Sequence, residues 1–196
     1  MGRFNFIDTQ ISGLKVVEKK PIEDSRGHFS RFFCGSEFVQ AGLEMNTCQI
    51  NHSYSKNAGT VRGMHFQLPP HAECKFVSCI RGKILDVAID LRKNSPTFLK
   101  WHSEILSVSN HRSLLIPEGF AHGFQTLTDD CELLYLVSAS YEKTAEKAVN
   151  VLDPLVTIEW PLQISEISEK DQNCPMLSSS FKGIELDEDA QDIQYL

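Results

Sequence analysis

"KILDVAIDLR", residues 83–92, decides the fold. Leu85, Val87, Ile89 and Leu91 recur at every second position, with Asp86 and Asp90 between them. This is the period of a strand that sets an apolar face against a polar one, not the 3.6-residue period of a helix. The run stops at "KNSPT" (93–97), whose Asn, Ser and Pro favour a turn and break the ladder. The same alternation extends over residues 46–141, through "KWHSEILSVSNHR" (100–112), "SLLIPEGFAHGFQTL" (113–127) and "CELLYLVSASY" (131–141), parted by "SNHRS" and "LTDDCE". Short strands at even spacing with turn signals between them predict an all-β sandwich or barrel. Helical patterning is confined to "SEFVQAG" (36–42) and "ISEISEKD" (164–171), short flanking pieces too small to organise the fold.

A chain of 196 residues suits one domain with a core large enough to need no staples. Its 19 basic and 26 acidic residues give a net charge of −7. The basic residues are scattered, which argues against a nucleic-acid backbone or an anionic membrane as partner. No apolar run of about 18 residues marks a membrane span. "MGRFNFIDTQISG" lacks the basic and apolar regions of a signal peptide, so a soluble, cytoplasmic protein is expected. On that expectation the six cysteines, Cys34, Cys48, Cys74, Cys79, Cys131 and Cys174, are reduced thiols used as small apolar residues, and none is spaced as C-x-x-C. The terminal "GIELDEDAQDIQYL" (183–196) is acidic and reads as a surface appendage or a partly disordered tail.

Polar residues concentrate in "GTVRGMHFQLPPHAECK" (59–75). A metal site is one reading. "PEGFAHGF" (117–124) has the P-x-G-x-x-H spacing of the second motif of cupin-type barrels, yet no H-x-H accompanies it, and His65 and His71 are separated by a Pro-Pro turn. The ligand set is incomplete, and His122 reads better as a structural or orienting histidine. Proton transfer is the stronger reading. Strict parity puts Val61, Gly63, His65 and Gln67 on one face and Arg62, Met64 and Phe66 on the other. If Arg62 and His65 both face a ligand, the strand must be irregular, and Gly63 between them tolerates a bulge. Tyr135 and Tyr141, six apart, share a face if the alternation holds, and a phenol is a fitting acid partner for a histidine base; aromatic filling of a barrel interior would look the same. "SEKD" (168–171) reads from spacing alone as a solvated charged turn.

Taken together these stretches resemble the dTDP-4-dehydrorhamnose 3,5-epimerase family over residues 5–178. The segments that carry the resemblance are "DSRGHF" (24–29), "QINHSYS" (49–55), "GTVRGMHFQ" (59–67), "KFVSCIRGKILDVAIDLRKNSPTF" (75–98), "IPEGFAHGF" (116–124), "LLYLVSASY" (133–141), "DPLVTIEWP" (153–161) and "SEKD", all in the family's order. The resemblance implies a cupin-like jelly roll over residues 1–178, a double-sheet barrel, with residues 179–196 as an appendage. It implies a homodimer in which an N-terminal segment completes the partner's site, and neither a metal nor an organic cofactor. The implied reaction inverts carbons flanking the keto group of a nucleotide-linked 4-keto-6-deoxyhexose, in deoxysugar biosynthesis for cell-surface polysaccharide such as the O-antigen of lipopolysaccharide.

By motif position the resemblance makes His65 the base, Asp171 its partner, Tyr135 the acid opposite, and Lys75 and Arg62 the groups beside the sugar and its keto oxygen. Tyr141 and His122 fall in the cavity, while Arg26, Phe29, Arg31, Gln49 and Asn51 fall in segments that contact ligand. The chain departs from the family at Arg31, where a glutamate is usual. A fixed cation in place of an acceptor would suit cytosine better than thymine, so a CDP-linked sugar is an alternative to a dTDP-linked one. Two further alternatives stay open: inversion at only one of C3 and C5, and a cupin that binds a sugar nucleotide without turnover.

Overall fold

The computed structural model describes residues 2–186. The chain forms β1 (Phe4–Asp8), β2 (Lys15–Lys19), β3 (Ile22–Asp24), β4 (Gly27–Phe29), α1 (Gly35–Gln40), β5 (Gln49–Ser55), β6 (Val61–Gln67), β7 (Lys75–Arg81) and β8 (Lys83–Asp90). It continues through β9 (Trp101–Ser107), β10 (Arg112–Ile116), β11 (Phe120–Thr126), β12 (Cys131–Val137), β13 (Glu146–Ala148) and α2 (Glu169–Gln172). Two antiparallel sheets face each other, one in the order β1-β2-β10-β7-β12-β5 and one in the order β13-β6-β11-β8-β9. A small hairpin of β3 and β4 stands apart from both. The architecture is the expected all-β double-sheet, cupin-like barrel.

Three apolar clusters explain how strands of alternating sequence are buried on both faces. Between the sheets lie Val77, Ile84, Ala88, Leu114, Phe124 and Leu133. Outside the smaller sheet, Val87, Ile89 and Leu91 pack under a wrap made by Val149, Val151, Val156 and Ile184. Outside the larger sheet, Val17, Phe76 and Leu115 are capped by α1 through Phe38, whose ring makes edge contacts with Phe4, Phe6 and Phe76 at centroid distances of 5.5, 5.1 and 5.3 Å. Such edge-to-face pairs add about 1 kcal/mol each to the burial of the rings.

The opening alternation therefore has a different meaning from the expected one. The apolar face of β8 turns away from the barrel, under the wrap, while Asp86 and Asp90 point between the sheets with no exposed surface. Their burial is tolerated because each carboxylate is partnered: Asp86 accepts from His122 at 2.7 Å, and Asp90 accepts from Arg92, Ser95 and Thr97. Two further expectations change. "ISEISEKD" is helical only over Glu169–Gln172, because Glu166 bridges Thr60 and its backbone carbonyl accepts from Val61 at 2.9 Å. "CELLYLVSASY" ends as a strand at Val137, so Tyr141 lies beyond the ladder. Of the acidic tail, residues 187–196 lie outside the described residues, while Ile184 is buried and pairs with Leu91 and Lys93. Among the described residues no helix is long and apolar enough to cross a membrane, and the six cysteines are free thiols.

One buried charge works against stability. Lys19 is 7% exposed; its ammonium donates to Ser113 at 2.6 Å and lies 4.9 Å from the Phe32 ring centroid. Burial pulls its pKa from an ordinary 10.5 down to about 8. At neutral pH both folded and unfolded chains carry the proton and the full penalty applies. From about pH 8 upward the folded chain sheds it first, so the penalty fades toward pH 10.5. Lys19→Met is expected to raise the unfolding free energy at pH 7 by about 1–3 kcal/mol. The gain should shrink as pH rises, which urea denaturation of both proteins at pH 7 and pH 10 would measure.

Candidate active site

An irregularity in β6 creates the site. Val61, Met64 and Phe66 pack outward under the wrap, whereas Arg62, His65 and Gln67 line a cavity of about 820 Å³ between the sheets. Such a pattern requires one residue to drop out of the alternation. The β6–β11 register shifts there, with His65 opposite His122 but Arg62 opposite Phe124, and Gly63 has φ +136°, a backbone that side-chain-bearing residues rarely adopt. The following turn, with Pro69 and Pro70, is closed by a bond from His71 N–H to Leu68 carbonyl at 3.0 Å, and it returns the chain to Lys75 on the same cavity.

Asp171 is carried into the barrel by α2. Ser168 caps that turn, its hydroxyl accepting from the Asp171 N–H at 3.1 Å. The carboxylate then accepts from His65 Nε2 at 2.6 Å and from the Gly63 N–H at 3.4 Å. Asp171 is 3% exposed, so it is no part of a solvated turn. Burial opposes its ionisation, but the hydrogen bond and charge of His65, the Gly63 N–H and Ser168 together hold its pKa below the usual carboxylate range. An ionised carboxylate only accepts hydrogen bonds, so His65 Nε2 carries a proton and Nδ1 is left as the basic nitrogen.

Lys75, at the start of β7, is paired with Glu73 at 3.1 Å and donates to the carbonyl of His65 at 3.2 Å. From β12, Tyr135 shares a hydrogen bond of 3.1 Å with Ser53, and burial, reinforced by Asp86, pushes its phenol pKa well above the ordinary value. It stays protonated at neutral pH. His122 on β11 bonds Asp86 and meets the Tyr135 ring edge-on, with centroids 6.1 Å apart. Gln49 and Asn51 on β5 complete one wall and bond each other at 2.7 Å. Arg62 is pinned to that strand by Ser55 at 3.0 Å and the Tyr54 carbonyl at 3.1 Å.

The rim is looser. Tyr141 is 56% exposed and reaches the cavity from a loop, not along the face it was expected to share with Tyr135. Its hydroxyl donates to Glu146 at 2.8 Å, and Lys170 donates to the same carboxylate oxygen at 2.6 Å. Arg26, Phe29 and Arg31 are outside the cavity of the chain. Arg26 is paired with Asp24 at 2.6 Å on the free hairpin, Phe29 is 67% exposed beside it, and Arg31 donates to Glu37 at 2.8 Å.

Ser53, Glu73, Glu146 and Lys170 also line the cavity, and Asp86 stands behind His122; none of them was singled out as a site residue. Ser53 was accessible from period two, being next in the series Gln49, Asn51 on β5. Glu73 stands two residues before Lys75 in the same way. Glu146 and Lys170 offered no pattern, since a short strand and a single helical turn bring them together. Among the described residues no group of three or more His, Cys, Asp or Glu side chains is arranged to hold a metal ion.

An imidazole backed by a carboxylate, an ammonium and a buried phenol thus share one cavity. Residues 8–179 match the family model described as dTDP-4-dehydrorhamnose 3,5-epimerase. A protein of that name from Shigella flexneri is 44% identical over 170 residues, covering 86% of this chain and 93% of its own. The crystal structure of a dTDP-4-dehydrorhamnose 3,5-epimerase from Bacillus anthracis, with TDP and pyrophosphate bound, superposes with a TM-score of 0.87 at 39% identity, over 89% of this chain and 99% of that one. A 3'-monoepimerase from Streptomyces bikiniensis in complex with dTDP-quinovose gives a TM-score of 0.80 at 34% identity, over 87% and 86% of the two chains. The chain belongs to the dTDP-4-dehydrorhamnose 3,5-epimerase family.

Proposed function

We propose that the protein epimerises a dTDP-linked 4-keto-6-deoxyhexose at the carbons flanking its keto group, with His65 as base and Tyr135 as acid, and that it needs no cofactor to do so. The observation that carries this reading is the His65–Asp171 pair at 2.6 Å in one cavity with Lys75 and Tyr135. A C–H beside a ketone is a weak acid. Its removal at neutral pH needs a placed base and a cation or donor at the oxygen that takes up the charge. His65 Nδ1 takes the proton, the C–H electron pair moves to the oxygen as an enolate beside Lys75, and Asp171 steadies the imidazolium. Tyr135 then gives its proton to the opposite face, the enolate collapses to the ketone, and the centre is inverted. The imidazolium of His65 then gives its extra proton to solvent, and the Tyr135 phenolate takes one back from it.

Thymidine diphosphate as carrier is supported by what the relatives hold: TDP in one, dTDP-quinovose in the other. Arg31, the departure that raised a cytidine carrier, is satisfied by Glu37, so its presence needs no cytosine. The free β3–β4 hairpin, with Arg26 and Phe29 exposed, supports a homodimer in which it reaches the partner's cavity. Free thiols and the sugar-nucleotide chemistry fit a cytoplasmic enzyme of deoxysugar and cell-surface polysaccharide biosynthesis.

NMR in heavy water with dTDP- and CDP-4-keto-6-deoxyglucose in separate tubes tests the reading. Deuterium at both C3 and C5, faster with dTDP, is expected. Label at one carbon would identify a monoepimerase like the Streptomyces bikiniensis relative, and bound ligand with no label would leave a binding protein. Tyr135→Phe should lower inversion by about 10²- to 10⁴-fold while deprotonation, read as deuterium wash-in with retention, falls far less. An equal fall in both would remove Tyr135 from the acid's role.

A further inference from the structure

We propose that Glu73 is a positioning residue for this reaction, holding the Lys75 ammonium so that one N–H is presented to the oxygen that becomes the enolate. The inference rests on the epimerase reading above. Its geometry begins in the backbone. The Cys74 N–H donates to the Ser138 hydroxyl at 2.8 Å, and the Ser138 N–H donates to the Cys74 carbonyl at 3.1 Å. Cys74 is thereby fixed with its thiol in the outer cluster beneath α1. Residues on either side of it in an extended chain must turn the other way, and Glu73 and Lys75 both line the cavity.

The two side chains are 12% and 11% exposed and 3.1 Å apart. An ammonium has three N–H groups in tetrahedral array. The His65 carbonyl accepts one at 3.2 Å, the Glu73 carboxylate holds the ammonium as an ion pair at 3.1 Å, and an N–H is left for the ligand. Because that carbonyl belongs to His65, the same arrangement ties the position of the cation to the position of the base. A carboxylate does this better than an amide of equal size. It offsets the cost of burying the ammonium by pairing it with an opposite charge. The other carboxylates of the cavity are committed: Asp171 to His65, Glu146 to Tyr141 and Lys170, and Glu166 to Asn57 at 2.7 Å. Glu73 alone among the described residues is paired with Lys75.

The test measures kcat and KM for dTDP-4-keto-6-deoxyglucose by deuterium wash-in, and dTDP affinity by calorimetry, in the wild type, Glu73→Gln and Glu73→Asp. Glu73→Gln should lose about 10- to 100-fold in kcat, with KM and dTDP affinity within about threefold. Glu73→Asp, which keeps the charge, should recover most of the loss. In a Lys75→Met background, Glu73→Gln should cost nothing further, because the ammonium it positions is gone. Wild-type kcat in Glu73→Gln overturns the proposal, as does a matching loss in Glu73→Asp, a collapse of dTDP affinity, or an added loss in the Lys75→Met background. A wild type that incorporates no deuterium overturns the epimerase reading itself, and the Glu73 proposal with it.

Discussion

Replacing His65 by alanine is expected to abolish deuterium wash-in at the carbons beside the keto group, by about 10³-fold or more, while dTDP affinity changes little. The reasoning is local. Asp171 is buried with one firm partner, the imidazole at 2.6 Å, and a longer contact to the Gly63 N–H at 3.4 Å. It is held ionised and cannot approach the substrate past the ring that shields it. Among the described residues the other imidazole lining the cavity, His122, spends its Nε2 on Asp86 and is 5% exposed. The nucleotide should still bind, because the imidazole's expected partner is the C–H of the sugar and not the carrier. Isothermal calorimetry with dTDP and wash-in kinetics on the same preparation would check both halves. Retained exchange would move the base elsewhere, and lost dTDP binding would make the histidine an anchor.

The second large effect is structural. Gly123→Ala should destabilise the protein by about 3 kcal/mol and lower its melting temperature by about 6–12 °C. A β-carbon at Gly123 would come within 2.5 Å of the Met64 sulfur, 2.6 Å of the Arg62 carbonyl oxygen and 2.9 Å of the Gly63 α-carbon. The sulfur can swing aside, but the two backbone atoms belong to the irregular step of β6. Relief therefore means parting β6 from β11 where the register already shifts. Arg62 and His65 flank that step, so activity should fall with stability, and at temperatures well below the melting point. Calorimetric scanning and wash-in rates at 15 °C would separate the two effects. An unchanged melting temperature would show that β6 and β11 separate there at little cost.

How much of this was legible beforehand varied with the distance over which the interaction acts. Alternation in β8 announced a strand, but not which face was inside. An apolar face ordinarily marks the core side, but here both faces are cores. What distinguishes them is that Asp86 finds His122 on a neighbouring strand, a pairing no local period reveals. The conflict between parity and function at Arg62 and His65 was legible, because Gly63 lies between them, and the register shift occurs there. Asp171 could not be told from a solvated turn by spacing alone, since its burial depends on Ser168 capping a single helical turn against a strand 106 residues away. Only the family resemblance assigned it. Arg26, Phe29 and Arg31 came from the same resemblance and lie away from the cavity of the chain.

Strand β11 has a consequence for how such an enzyme diverges. All of its residues are buried, and it is hydrogen-bonded along both edges, to β6 and to β8. Its amides should be among the last to exchange in heavy water, opening only when the whole domain opens. β11, which carries His122 and is paired beside His65 on β6, is thus a rigid part of the molecule. Tyr141, Glu146 and Lys170 sit instead on a loop, a short outer strand and one helical turn, where a replacement perturbs few neighbours. A lineage can vary that rim freely while the fully buried strand beneath it is inherited unaltered.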